Sequence, residues 1–134
     1  METGKGADMR AWPKGIGAIT LFVEDLAAKQ FYLQVFGLPV DYEDDDSTVF
    51  TFGNTLINLL KTTAAGELIE PATIAGRKAG SRVVFTINMD DVNTLCAELT
   101  ARGVDLLNGP MDRPWGIRTA SFVDPGGHIW EIAK

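Results

Sequence analysis

The chain has 134 residues, 46% apolar and 22% charged, with a net charge of −6. That is one globular domain's worth of core-forming sequence, which excludes collagen, coiled coil and wholesale disorder as the main architecture. The acidic balance disfavours nucleic-acid binding, which needs cationic surface for phosphate. No apolar run reaches the roughly 20 residues of a membrane span, and the single cysteine, Cys96, excludes an internal disulfide framework or a multi-cysteine zinc site.

Residues 1–14 read as a frayed arm, anchored only by Trp12-Pro13. Their opening, METGKGADMR, lacks the apolar stretch of a secretory signal, so the expected location is cytoplasmic. A first module spans 15–61. Ile19, Leu21 and Val23 alternate as a half-buried strand. Asp25 follows as a candidate N-cap for a helix whose apolar stripe is Leu26, Phe31, Val35 and Phe36, and Gly37 suits its left-handed end. Strands are then expected at Pro39–Tyr42, Val49–Phe52 and Thr55–Leu60. The acidic run from Tyr42 to Asp46 and the dipeptide Gly53-Asn54 separate them as turns.

Residues 62–80, rich in Ala, Gly and Thr, read as a linker with a short helical stretch over Glu67–Ala75. A second module spans 81–134. Phe85, Ile87 and Met89 alternate, Asp91 is a candidate N-cap, and Val92, Leu95, Cys96 and Leu99 form a stripe ending near Gly103. Strands are expected at Asp105–Leu107, Arg118–Phe122 and His128–Ile132. Their breaks are the NGP stretch at Asn108 and the DPGG turn at Asp124.

The two modules are one pattern written twice. Ile19 lies over Phe85 at an offset of 66 residues, which also brings Thr20 over Thr86, Asp25 over Asp91 and Gly37 over Gly103. Asn58 lies over Glu131 at an offset of 73, so the second copy is about seven residues longer before its last strands, around MDRPWG. Each module reads strand, helix, strand, strand, strand.

The stretches VEDLAAKQFYLQVFGL, MDDVNTLCAELTARGV, PWGIR and DPGGHIWEI resemble the vicinal oxygen chelate superfamily of glyoxalases, bleomycin-resistance proteins and dioxygenases. The resemblance runs from Ile16 onward, and its PWG-x-R stretch leans toward the bleomycin-resistance branch. It implies an α+β fold in which two tandem βαβββ modules form curved mixed sheets around a concave ligand cleft, with helices on the convex face. It also implies four metal-ligand positions, which fall here on Ala18, Asn58, Val84 and Glu131. Two are hydrocarbon and one is an amide, so a divalent metal is not expected and no cofactor is assigned.

Alternation from those positions puts Thr20, Phe22, Thr86 and Asn88 on the concave face with Asn58 and Glu131. That mixture suits a small-molecule pocket. Glu131 either meets a ligand or pairs internally with Arg118, and Arg118 either meets an anionic group or pairs with Glu131. Trp115 either stacks on a planar ligand or tucks onto the core. Trp130 belongs to the core by parity, His128 reads as a polar residue at a turn edge, and Cys96 as a buried thiol. The resemblance therefore implies a binder that sequesters a planar or cationic natural product, with no nucleic-acid or membrane partner. The alternative is a divergent lyase, isomerase or dioxygenase using Glu131. The resemblance and the open apolar sheet face also imply a homodimer.

Overall fold

In a computed structural model, residues 13–134 are described. Most of the expected N-terminal arm, Trp12 included, lies outside them. The first module contains β1 (Ala18–Val23), α1 (Ala28–Phe36), β2 (Val40–Glu43), β3 (Ser47–Phe52) and β4 (Thr55–Lys61). The second contains β5 (Val84–Asn88), α3 (Val92–Ala101), β6 (Leu106–Asp112), β7 (Arg118–Val123) and β8 (Ile129–Ala133). Between them stand α2 (Thr62–Ile69) and a single 3-10 turn at Arg77–Ala79. The chain is α+β with two four-stranded mixed sheets.

Sheet 1 has the order β1-β4-β3-β2 and sheet 2 the order β5-β8-β7-β6. In each, the first strand runs parallel to the last and the rest are antiparallel. The register repeats as the offsets require. Thr20 pairs with Asn58 across β1 and β4, and Thr86 pairs with Glu131 across β5 and β8.

Both sheets bury their helix-side faces in one shared core. Leu21, Val23, Phe50, Ile57 and Leu59 enter it from sheet 1, and Ala120, Phe122, Trp130 and Ile132 from sheet 2. Helix α1 joins the two. Tyr32 contacts Phe50 on one side and Trp130 on the other, and Phe36 reaches Phe52, Phe122 and Trp130. Trp130 is thus a core residue, as its parity predicts. Cys96 is buried on the stripe of α3, and burial pushes its thiol up.

Three local details depart from the sequence reading. Helix α1 starts later than Asp25 allows: its N-cap is Ala27, while the Asp25 carboxylate accepts from the Ala27 amide and closes a turn instead. Asp91 does cap α3, accepting from Thr94 N–H at 3.1 Å. The linker helix occupies Thr62–Ile69 and starts directly after β4, earlier than expected; it stops before Pro71, which steers Glu70 away from helical backbone.

Strand β6 does not break at NGP. It continues through a bulge to Asp112. The bulge turns on Gly109, whose φ is +84° and where a Cβ would lie 2.5 Å from the Thr119 carbonyl oxygen. Only glycine fits there. Among the described residues no helix is long and apolar enough to cross a membrane.

Candidate functional site

Strand pairing places side chains of partnered residues on one face. Across sheet 2 the pairs Thr86–Glu131, Glu131–Ser121 and Ser121–Asn108 form one polar row. The neighbouring row holds Asn88, Ala133 and Thr119. Phe122 and Trp130 have the opposite parity and are in the core, so both rows lie on the face turned away from the helices. The corresponding row of sheet 1 is Thr20, Asn58, Val49 and Tyr42, with Phe22 in the next row.

Of the sequence-predicted residues, this geometry gathers Glu131, Thr86 and Asn88 on sheet 2 and Thr20, Phe22 and Asn58 on sheet 1. The two sets face away from a common core and do not meet within one chain. On sheet 2, Glu131 accepts from Thr86 Oγ1 at 2.8 Å and is half-buried, while Thr86 and Asn88 are exposed. On sheet 1, Asn58 Nδ2 reaches Thr20 Oγ1 at 3.5 Å, and Asn58 Oδ1 is buried without a donor among the described residues. A buried acceptor left without a donor is costly.

Arg118 is elsewhere. It shares parity with Ala120 and Phe122, which sends it toward the helix side. There its guanidinium donates to Asn93 Oδ1 at 2.9 Å and to Asp112 Oδ1 at 2.9 Å. It neither pairs with Glu131 nor lies on the polar row, and of the two readings of Glu131 the internal pair with Arg118 is removed.

The cation on the outward face is Arg113, which the sequence reading missed. Its Nε donates to Thr119 Oγ1 at 2.8 Å and its terminal nitrogen reaches Asn108 Oδ1 at 3.4 Å. The guanidinium also sits 5.8 Å from the Trp115 ring centre. Trp115 itself is 68% exposed in the β6–β7 hairpin. It is therefore not tucked onto the core. No periodic signal marks Arg113, because it falls in the hairpin where alternation stops.

The family-type metal positions do not fit a divalent ion. Ala18 and Val84 offer only hydrocarbon, and the residues beside Asn58 and Glu131 are threonines. Among the described residues no three His, Cys, Asp or Glu side chains converge. A catalytic divalent site wants three protein ligands.

A second polar cluster lies between the modules. Trp130 Nε1 donates to the Tyr32 hydroxyl at 3.3 Å, and that hydroxyl donates to Asp124. Asp124, 1% exposed, also accepts from the His128 backbone N–H at 2.8 Å and contacts its Nδ1 at 3.1 Å. Burial alone would raise the Asp124 carboxyl, but the hydrogen bonds from His128 and Tyr32 outweigh it and hold the group below its ordinary range. Burial, then the adjacent carboxylate, drives the Tyr32 hydroxyl far up.

Comparison with known proteins bears on this fold. The profile described as "Glyoxalase/Bleomycin resistance protein/Dioxygenase superfamily" matches residues 15–132. A glyoxalase/bleomycin resistance protein/dioxygenase from Nocardioides superposes with a TM-score of 0.82 at 23% identity, covering 92% of this chain and 84% of that one. A glyoxalase-related enzyme from Fulvimarina pelagi gives 0.77 at 24% identity, over 90% and 88%. A lactoylglutathione lyase from Agrobacterium tumefaciens gives 0.72 at 24% identity, over 90% and 93%. At these identities the likeness is one of fold. No curated protein matches the sequence.

Proposed function

Because the chain belongs to the glyoxalase/bleomycin resistance protein/dioxygenase superfamily, we propose that it is a small-molecule-binding protein that sequesters a planar or cationic natural product, such as an antibiotic, without chemistry. The observation that carries this reading is the outward face of sheet 2. It holds one carboxylate, Glu131, among hydroxyls, amides and hydrocarbon, bordered by the exposed indole of Trp115. Ligand pockets are largely apolar with a few directing polar groups. General acid–base chemistry asks for a second, tuned proton-transfer group within reach, and Glu131 has only Thr86 as its hydrogen-bond partner among the described residues.

In this reading Glu131 neutralises a cationic or donating group, and Trp115 covers a flat ring. Arg113, already held by Thr119 and Asn108, offers its remaining donors to an acceptor on the same ligand. The cleft needs a second wall. The polar rows of sheets 1 and 2 face apart in one chain, so a second copy supplies it, and the protein works as a homodimer. Val83 and Val84, each about half exposed on the edge of sheet 2, are suited to that contact.

A thermal-shift screen tests the proposal. The panel is bleomycin-like glycopeptides, mitomycin-like quinones, quinoxaline peptides and glutathione adducts. A true ligand at a hundred times its dissociation constant adds about 2.7 kcal/mol of stability. No shift from any compound counts against sequestration of these classes.

The alternative is a divergent lyase, isomerase or dioxygenase in which Glu131 is a general base. The structural likeness to a lactoylglutathione lyase supports it at the level of fold. Metal analysis separates the readings: stoichiometric Zn, Ni, Mn or Fe that Glu131→Gln removes would overturn the metal-free one.

A further inference from the structure

A cavity of about 580 Å3 lies away from the outward face of sheet 2, between the edge strands β1 and β5 and beneath the segment 73–83. Its apolar wall is Ile19, Phe22 and Phe85, and its ionisable lining is Arg77, Arg82, His128 and Glu24. Two guanidiniums thus face one carboxylate, in a chain whose net charge is −6. That is a local reversal of sign, and apolar walls around it strengthen its field. The ion pairs of lysine and arginine among the described residues join Lys29 to Glu43, Lys61 to Asp46, Arg102 to Glu98 and Arg118 to Asp112, and include neither Arg77 nor Arg82.

The imidazole is held for this cavity by the buried cluster. An ionised carboxylate only accepts hydrogen bonds. With Asp124 ionised, His128 Nδ1 carries the proton toward it, which fixes the ring and leaves Nε2 as its acceptor nitrogen. Gly126 makes room for this pose: a Cβ there would sit 2.8 Å from the ring carbon Cε1 and 2.9 Å from Nδ1. The same turn docks the roof. Ser81 Oγ donates to the Gly127 carbonyl at 3.4 Å, and the Arg77 stem lies 3.1 Å from where a Gly127 Cβ would stand. One buried carboxylate therefore orients the imidazole, and one glycine turn seats the segment that carries both arginines.

We infer that this cavity is a second binding site, taking a small organic anion, a carboxylate or a phosphate monoester, whose apolar body is about one aromatic ring in size. The anionic group meets Arg77 and Arg82, the ring packs on Phe22 and Phe85, and His128 lies beside the bound ligand. The volume falls within the ordinary range for small-molecule sites, roughly 300–1,000 Å3.

The chain's single histidine makes the test direct, because the full-length protein without a tag has one imidazole Cε1–H resonance in its proton NMR spectrum. The probes are benzoate, phenyl phosphate, benzyl alcohol and inorganic phosphate. One or both aromatic anions should move that resonance saturably, with the alcohol and inorganic phosphate at least about tenfold weaker. Arg82→Gln, at an exposed position, and the double variant Arg77→Gln/Arg82→Gln should each weaken the anion, the double variant at least about tenfold. Trp115→Ala and Glu131→Gln should bind it as the unaltered chain does, which separates this site from the outward face of sheet 2. An unmoved resonance at saturating anion overturns the inference. So does an alcohol or inorganic phosphate that binds as well as the aromatic anion, or an Arg82→Gln variant that folds and binds unchanged.

Discussion

Replacing Asp124 with Asn removes a charge from the centre of the molecule while keeping its shape. The carboxylate accepts from the Tyr32 hydroxyl, from the His128 amide at 2.8 Å and from the imidazole Nδ1 at 3.1 Å, at 1% exposure. An asparagine has one acceptor oxygen and turns an N–H2 group toward at least one of those donors. Hydrogen bonds to a charged group contribute about 1.5–3 kcal/mol each, and an unsatisfied buried donor costs about 1–3 kcal/mol. Losing one such bond while keeping the other two partly intact puts the cost at about 3 kcal/mol, or roughly 10 °C in Tm for a chain of this size. Tyr32→Phe breaks the same chain one link away and strands the Trp130 N–H, so the double variant should cost less than the sum of the two singles.

The same substitution has a pH signature. Asp124 is held below its ordinary range in the folded protein. A depressed carboxyl contributes stability that is fully present above the unfolded value, about 3.9, and is lost as pH falls through the folded value. Urea unfolding at fixed protein concentration, at steps from pH 7 down to pH 3, should show the unaltered chain losing stability at the acid end. Asp124→Asn should be weaker at neutral pH and flatter there. A loss under about 1 kcal/mol at pH 7, or an unchanged acid limb, would refute the idea that this carboxylate ties the modules together.

Four further outcomes are expected. Gly109→Ala forces a Cβ to within 2.5 Å of a β7 carbonyl at a positive φ, and should cost at least about 2 kcal/mol in a chemical melt. Phe122→Ala empties a fully buried position against Phe31 and Phe36, and should cost about 3–5 kcal/mol by the same melt. Sedimentation at tens of micromolar should show a dimer, and Arg118→Gln, on the helix side, should leave the affinity of any ligand of the sheet 2 face unchanged within about twofold.

The repeat carried most of the fold. Offsets of 66 and 73 residues already imply that Thr20 stands to Asn58 as Thr86 stands to Glu131, and the strand pairing has that register. Alternation likewise assigned Leu21, Val23 and Trp130 to the core. Arg118 was legible too, since it shares parity with Ala120 and Phe122, but its charge drew it toward Glu131 in the reading. Arg113 was not legible, because a hairpin residue has no period. Nor was the partnership of Tyr32 with Asp124, 92 residues apart. The DPGG pattern announces a turn, and nothing in it tells that its aspartate is buried against a helix of the other module. The bulge at Gly109 hid the length of β6, since Asn-Gly-Pro reads as a stop unless the neighbouring strand's close approach is known.

The central claim is that the outward face of sheet 2 binds a small molecule through Glu131 and Trp115. Titration calorimetry with the best compound from the thermal-shift screen, on the unaltered chain, Trp115→Ala and Glu131→Gln, tests it most directly. Trp115→Ala should weaken binding by about 1–3 kcal/mol, as loss of an aromatic anchor does. Glu131→Gln should weaken cationic ligands more than neutral ones, and both variants should melt near the unaltered chain, since neither residue is in the shared core. Equal affinities across all three proteins would contradict the claim.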